Sequence, residues 1–551
     1  MPPSLRLNGA ILQGVARFAR TRAGALALHR LLRADLGIDR LATLPDGLRG
    51  DPPPDAWPRA GRPPRAAKGE GLPWPEGGWA PTARSLTAAY RAGSLTPPEV
   101  VARALAEARR LATLAPPMGP FCAFDDEAAL AEARASERRW RRGEPLGPLD
   151  GVPWAIKEEA ALKGLPRQGG TSYLDAGPQP RDATAVARVR AAGAIALGLT
   201  SMTEHGMTPN GSNANRAMPH NPHAPGHLAG GSSTGSGVAV ATGLVPFALG
   251  VDGGGSIRIP AAINGVFGLK PTWGRVSRAG DLATGTVSHL GPIGASTADV
   301  ALALEAMSGP DPDDAQTLAA PPRDPGSFTA ALGRGARGLV VGVPETEWGD
   351  ASGPVARAGR DALAALEREG ARLVPVSLQL ARHAAAVGYV VIACETLSAL
   401  REDWRDHADA MGYDLQASFA ALGAFGAVEY LDVLRLREGL RREAARAFES
   451  IDLLALPSTV SAAARVSDLD VRGGFLDTKV LDGLCRFCFF ANLTGLPAAS
   501  APVGVDADGL PLGLQLVGDA WDEATVLAAS AHLERVGAAR ARRPRITAAI
   551  V

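Results

Sequence analysis

From Thr82 onward, short apolar runs of strand length alternate with helical stretches, a rhythm that few folds accommodate. Asp182–Ala192 reads as a helix, Ala194–Leu199 as a strand, Gly338–Val343 as a strand, Pro354–Glu369 as a helix and Ala371–Leu378 as a strand. Thr96-Pro97-Pro98-Glu99 is a helix start: Thr96 is the N-cap, Pro97 takes a position that needs no N–H donor, and Glu99 can close a capping box ahead of Val100–Arg110. Strands and helices in alternation predict an α/β domain around a mostly buried sheet. Between Ser85 and about Glu534 there is no second linker and no internal repeat, so residues 82–551 read as one domain.

Residues 1–81 read differently. Ile11, Val15, Phe18 and Ala19 fall at helical spacing within 8–40, and arginines outnumber acidic residues up to Gly50. Such a helix can lie on a lipid surface or a partner, or pack on its own domain. Arg17, Arg20, Arg22, Arg30 and Arg33 interrupt any run near the ~20 apolar residues that a membrane span needs. Residues 51–81, with Pro52-Pro53-Pro54, Pro63-Pro64 and Trp74-Pro75, read as a linker or wrapping arm.

Charge narrows the partners. Lysine plus arginine (57) balance aspartate plus glutamate (57), so nothing steers the whole chain toward nucleic acid, and a small neutral substrate suits it better. Four cysteines, Cys122, Cys394, Cys485 and Cys488, are too few to staple 551 residues, which points to a reducing, cytoplasmic setting. Cys485 and Cys488 form a CxxC with no second pair to complete a zinc site, so core packing is expected of them. An assembly of like subunits is compatible with all of this.

The chemistry concentrates in residues 150–272. Gly230-Gly231-Ser232-Ser233-Thr234-Gly235-Ser236-Gly237 and Asp252-Gly253-Gly254-Gly255-Ser256-Ile257-Arg258 are two glycine–serine clusters. Consecutive glycines let several N–H groups converge on one point, as an oxyanion hole requires. Gly253, Gly254, Gly255 and the amide of Ser256 are candidate donors. A serine hydroxyl needs a base, and Lys157 ends the apolar stretch Gly151–Lys157. A free lysine at pH 7 is neutral only about one time in 2,500. Burial lowers that barrier, and Ser–Lys pairs substitute for Ser–His–Asp elsewhere.

These segments, with Gly268-Leu269-Lys270-Pro271-Thr272 and, further along, Asn492-Leu493-Thr494-Gly495-Leu496-Pro497, resemble the amidase signature family over roughly residues 82–535. The resemblance implies a mixed β-sheet core flanked by helices on both faces, and hydrolysis of a carbon–nitrogen bond without metal or organic cofactor. It also implies Ser256 as nucleophile, Ser232 as a cis-serine proton relay and Lys157 as base. Asp252 and Arg258 resemble the supporting ion pair of the glycine loop, and Ser233 a supporting hydrogen bonder. Two departures stand out: Glu158-Glu159 follows the lysine where the family commonly has Asp, and Thr234-Gly235 follows the serines where it commonly has Gly-Gly.

Other readings compete. Gly231-Ser232-Ser233-Thr234-Gly235 also fits G-x-S-x-G, which would make Ser233 the nucleophile, but a loop-like stretch precedes it where a strand is required. His220, His223 and His227 invite a zinc reading that Pro222 and Pro225 oppose; a loop bordering the pocket suits them better, and His289 is a further pocket candidate. Within the family, a free-standing amidase, an ester or carbamate hydrolase, and the amidase component of a glutamine-dependent amidotransferase complex all remain open. Met207–Asn213 looks more like the free-standing branch, and the N-terminal arm is not usual for the amidotransferase component. Aromatic residues in 384–490, among them Tyr389, Trp404, Tyr413, Phe419, Phe425, Tyr430, Phe475 and Phe487, favour an apolar or aryl acyl group.

Overall fold

The computed structural model describes residues 5–50 and 71–551. Thirteen strands are found among them: β1 (Arg6–Asn8), β2 (Phe121–Phe124), β3 (Pro153–Lys157), β4 (Ile195–Thr200), β5 (Phe247–Asp252), β6 (Phe267–Lys270), β7 (His289–Gly294), β8 (Val340–Val343), β9 (Arg372–Pro375), β10 (Leu453–Pro457), β11 (Phe475–Asp477), β12 (Ala498–Val505) and β13 (Pro511–Gly518). Eleven form one sheet in the order β2-β4-β3-β5-β7-β6-β12-β13-β10-β8-β9. β3 runs parallel to β4 and β5, and β8 parallel to β9 and β10, while β5–β7 and β12–β13 are antiparallel. The sheet is therefore mixed.

Strand periodicity divides the core. Leu453 and Ala455 of β10 join one apolar cluster, with Ala104, Val189, Leu304, Leu363 and Leu527 of flanking helices. Their neighbours Leu454 and Leu456 join another, with Ile259, Val390, Leu436 and Leu493. Alternate residues point to opposite faces, so helices cover the sheet on both sides. β3, β4 and β5 are buried along their whole length, as strands covered on both faces must be.

The helix after Thr96 spans Pro97–Ala112, and both arms of its capping box are present. The other anticipated elements appear as Thr184–Ala191, β4, β8, Gly353–Arg368 and β9, with ends shifted by up to three residues.

The N-terminal arm is built into the fold. β1 pairs antiparallel with β11, and helices Gly9–Ala19 and Arg22–Asp35 pack on the helix Tyr413–Leu422. The buried face is not wholly the one anticipated. Leu12, Ala16, Ala19, Leu28 and Leu32 meet Ala417 and Ala421, whereas Ile11 and Phe18 are exposed. Ile11 and Phe18 sit seven residues apart on one stripe, and the smaller Leu12–Ala16–Ala19 stripe allows closer helix approach. Residues 71–81 run without helix or strand along the main domain: Leu72 donates its N–H to Gly333, and Trp74 and Trp79 pack against the larger core cluster. The proline runs at 52–54 and 63–64 lie outside the described residues. No single helix among the described residues is long and apolar enough to cross a membrane.

Candidate active site

The parallel neighbours β3 and β5 end, at their C-terminal edges, on Lys157 and Asp252. Ligands of open α/β sheets bind at such edges. The chain then turns through Gly253-Gly254-Gly255-Ser256 into the helix Arg258–Ile263, while Ser232 and Ser233 precede the helix Thr234–Ala241. Two short loops and two strand ends thus bring the candidates together.

Lys157 is 1% exposed, and its Nζ donates to Ser232 Oγ at 2.8 Å. The Gly231–Ser232 peptide is cis. Ser232 and Ser256 line one cleft together with Lys157, Glu159, Gly206, Gly253 and Ser288. Ser256 also lines a second, larger cavity whose walls include Leu32, Leu36, Tyr389, Ile392, Leu415 and Phe489. It is the hinge between a polar and an apolar compartment.

The lysine's surroundings are dry but not uncharged. Ala160 N–H bonds to Lys157 O, a tight turn that carries Glu159 back over the strand end. Glu159 Oε2 lies 2.6 Å from Lys157 Nζ. Glu158 points elsewhere: it pairs with Arg216 at 2.8 Å and accepts from the Gly170 amide at 3.0 Å.

Asp252 organises the glycine loop. Its carboxylate accepts from the Gly255 amide at 2.7 Å and the Ile257 amide at 3.1 Å, and meets Arg258 Nη2 at 2.9 Å and Nε at 3.0 Å. Burial alone would raise the Asp252 carboxyl, but the Arg258 guanidinium and the Asn492 amide outweigh it and hold the group well below the usual carboxylate range. With its amide committed to Asp252, Gly255 does not serve as the free donor anticipated from the sequence. Gly254 is required on packing grounds, since a Cβ there would come within 2.5 Å of the Phe489 ring. Gly235 answers the departure after the serines: a Cβ at 235 would meet Pro120 O at 2.2 Å, so the loop's second glycine position is kept where contact is closest.

Ser233 Oγ is buried between the amide and carbonyl of Val251, at 3.2 Å from each, and so ties the loop to β5. Loop, not strand, leads into it, contrary to the elbow reading. The three histidines separate. His220 accepts from the Gly226 amide, His223 Nε2 faces Asn264 O, and His227 Nδ1 faces Ala224 O. Among the described residues no His, Cys, Asp and Glu cluster could hold a metal, and none of the three lines either cleft. His289 pairs with Asp252 through the β5–β7 ladder, behind the glycine loop, and lines neither cleft. All four cysteines are free, with Cys485 and Cys488 buried. Of the aromatic residues singled out, Tyr389 and Phe475 reach the apolar cavity, whereas Phe419 and Phe487 are buried elsewhere.

Two residues that the sequence offered only as members of family-like motifs, without a role, gain one here. Asn492 bridges Asp252 and Arg258, at 2.9 and 2.6 Å, from 240 residues away. Lys270 donates to Leu496 O at 2.6 Å, so the segment 492–497 closes onto the signature region.

Known proteins resemble this chain in sequence and fold. A family model described as Amidase matches residues 102–527. A fatty acid amide hydrolase of Medicago truncatula is 35% identical over 84% of this chain and 77% of its own length. A glutamyl-tRNA(Gln) amidotransferase chain from Anaeromyxobacter sp. (strain K) is 37% identical over 82% of this chain and 95% of its own. The solved structure of a bacterial aryl acylamidase of the amidase signature family superposes with a TM-score of 0.72 at 27% identity, over 83% of this chain and 96% of that one. The matched family model covers most of the chain and the fold agrees, so this protein belongs to the amidase signature family, as a hydrolase acting on amides.

Proposed function

We propose that this protein hydrolyses a small amide with an apolar or aryl acyl group, through an acyl-enzyme on Ser256. The observation that carries this reading is the position of Ser256, which borders both the Lys157–Ser232 cleft and the apolar cavity. A nucleophile so placed meets a carbonyl whose acyl group lies among Leu32, Leu36, Tyr389 and Ile392, with the leaving amine on the polar side.

Ser256 Oγ attacks the carbonyl carbon as its proton passes to Ser232 Oγ, whose own proton moves to the neutral amine of Lys157. The 2.8 Å contact between Lys157 and Ser232 is a proton-transfer distance. The amides of Gly253, Gly254 and Ser256 receive the developing oxyanion; removal of one such donor typically costs about 10²–10³ in rate. Collapse of the intermediate breaks the C–N bond, and the amine leaves with the proton returned through Lys157 and Ser232. Water then attacks the acyl-enzyme by the same route in reverse.

The fatty acid amide hydrolase relative supports an apolar acyl group, and the aryl acylamidase structure an aryl amide. The amidotransferase relatives are as similar in sequence, but here Leu32 and Leu36 of the N-terminal arm close the cavity wall, which suits an enzyme that binds its own acyl substrate.

The test is a panel of acetyl, octanoyl, dodecanoyl and benzoyl anilides, with glutamine, given to the purified chain. Turnover of the longer acyl or benzoyl anilides is expected, together with fluorophosphonate labelling of Ser256 that Ser256→Ala abolishes. Activity on glutamine alone would reverse the assignment.

A further inference from the structure

Lys157 does not stand alone at the end of β3. Glu159 Oε2 is 2.6 Å from its Nζ, and the two side chains are 9% and 1% exposed. A second carboxylate lies in the loop after β6: Asp281, part-buried with its Oδ2 shielded from solvent, whose Oδ1 accepts from the Ala283 amide at 2.6 Å. The Leu282 amide donates to Glu159 O at 3.0 Å, which stitches that loop to the turn carrying Glu159. Burial, and next the charge of Glu159, push the Asp281 carboxyl up to about 7, so the Glu159 charge is felt across the cluster. Arg278 attenuates Asp281 from its own loop, Val251 offers a carbonyl 3.5 Å from Nζ, and Glu158 is neutralised by Arg216. The groups in contact with the amine are thus one hydroxyl, one carbonyl and the Glu159 carboxylate, with Asp281 acting on the cluster through its charge.

We propose that Glu159 is the counter-ion of the base, a positioning residue that holds the Lys157 amine against Ser232 and stabilises the positive charge it gains as Ser256 attacks. The inference rests on the Ser256–Ser232–Lys157 reading above. The logic is that of the aspartate behind the histidine in Ser–His–Asp enzymes, which orients the base and stabilises its cation without taking the proton. No bond changes at Glu159: the proton leaving Ser232 ends on Lys157 and later returns to the leaving amine.

A carboxylate beside the amine stabilises the positive charge that builds on it as Ser256 attacks, so removing that charge is expected to slow acylation and to move the acidic limb of the rate profile.

The experiment is the pH profile of kcat/KM and kcat for an anilide substrate, measured on wild type, Glu159→Gln and Glu159→Asp. Glu159→Gln keeps the size of the side chain and removes its charge. Its acidic limb is expected at least about one pH unit lower than wild type. Its plateau kcat is expected about threefold to tenfold lower. Glu159→Asp restores the charge and is expected to return the limb toward wild type. Asp281→Asn, which leaves the lysine's direct partner in place, is expected to move the limb the same way by less, and it serves if Glu159→Gln does not fold. A limb that stays in place, with loss equal at every pH, or a limb that moves upward, overturns the proposal. Labelling of Ser256 by fluorophosphonate separates the two levels. Absence of labelling in wild type defeats the underlying reading, whereas a labelled Glu159→Gln enzyme with an unmoved limb defeats this inference alone.

Discussion

Asp252 and Arg258 form a two-point ion pair at 2.9 and 3.0 Å with neither side chain exposed. Arg258 also reaches Asn492, Gln515 and the carbonyl of Cys488, and Asp252 holds the amides of Gly255 and Ile257. The pair therefore joins the loop that bears Ser256 to the segments near residues 490 and 515.

Loss of one partner should be expensive, because the other is left as an uncompensated buried charge. Arg258→Met is expected to cost about 3–5 kcal/mol in urea unfolding at pH 7. The Asp252 carboxyl is depressed in the folded state, so its contribution is present above the unfolded value near 3.8 and is lost as pH falls below it. Wild type should accordingly lose stability as pH falls below about 4, and Arg258→Met should lose less over that interval. A cost under about 1 kcal/mol for Arg258→Met would show that the pair is dispensable.

The N-terminal arm should govern acyl length. Leu36 lies in the wall of the cavity that Ser256 borders. Leu36→Trp adds volume there at a cost of about 1–3 kcal/mol if the site cannot relax. The expected result is at least a tenfold fall in kcat/KM for dodecanoyl anilide, about 1.4 kcal/mol, with acetanilide little changed. Equal loss on both substrates would mean that the acyl chain lies elsewhere.

How much could be read from residues alone follows from the range over which each signal acts. The strand ending in Lys157, the loops bearing Ser232 and Ser256, and the Thr96 cap depend on neighbours in sequence, and each stands where the local pattern places it. Glu159 lies two residues beyond the lysine, yet its direction depends on a turn closed by Ala160, so it read only as a departure from a familiar pattern. Leu36 is an apolar residue capping the end of the helix Arg22–Asp35; only the meeting of that helix end with residues some 350–450 positions away makes it a cavity wall. Ile11 and Phe18 show the reverse: helical spacing detects a stripe, but the partner helix selects which stripe is buried. Gly255 has the right residue type for an oxyanion donor, and Asp252 takes its amide.

Ser233 should prove structural. Its hydroxyl spans the amide and carbonyl of Val251, and removal takes a buried partner from each at about 1–3 kcal/mol. Ser233→Ala is expected to melt lower yet keep fluorophosphonate labelling on Ser256. A probe adduct located on Ser233 by peptide mapping would reinstate the elbow reading.

The glycine loop offers the sharpest packing test. A Cβ on residue 254 would lie 2.5 Å from Phe489 Cζ, and that ring is held in turn by Gly388, where a Cβ would lie 2.1 Å away, and by an edge contact with Tyr389 at 5.2 Å. The ring cannot retreat, so the loop must. In Gly254→Ala the displaced amides no longer meet the oxyanion, and kcat should fall by about 10²-fold. Stability should fall by only about 1–3 kcal/mol, because the strain is local. Phe489→Leu frees the space, so the double variant Gly254→Ala/Phe489→Leu should recover activity relative to Gly254→Ala, although Phe489→Leu alone is a loss. Kinetic constants for the four proteins of this cycle decide the matter: additive losses would mean that the ring does not hold the loop in place.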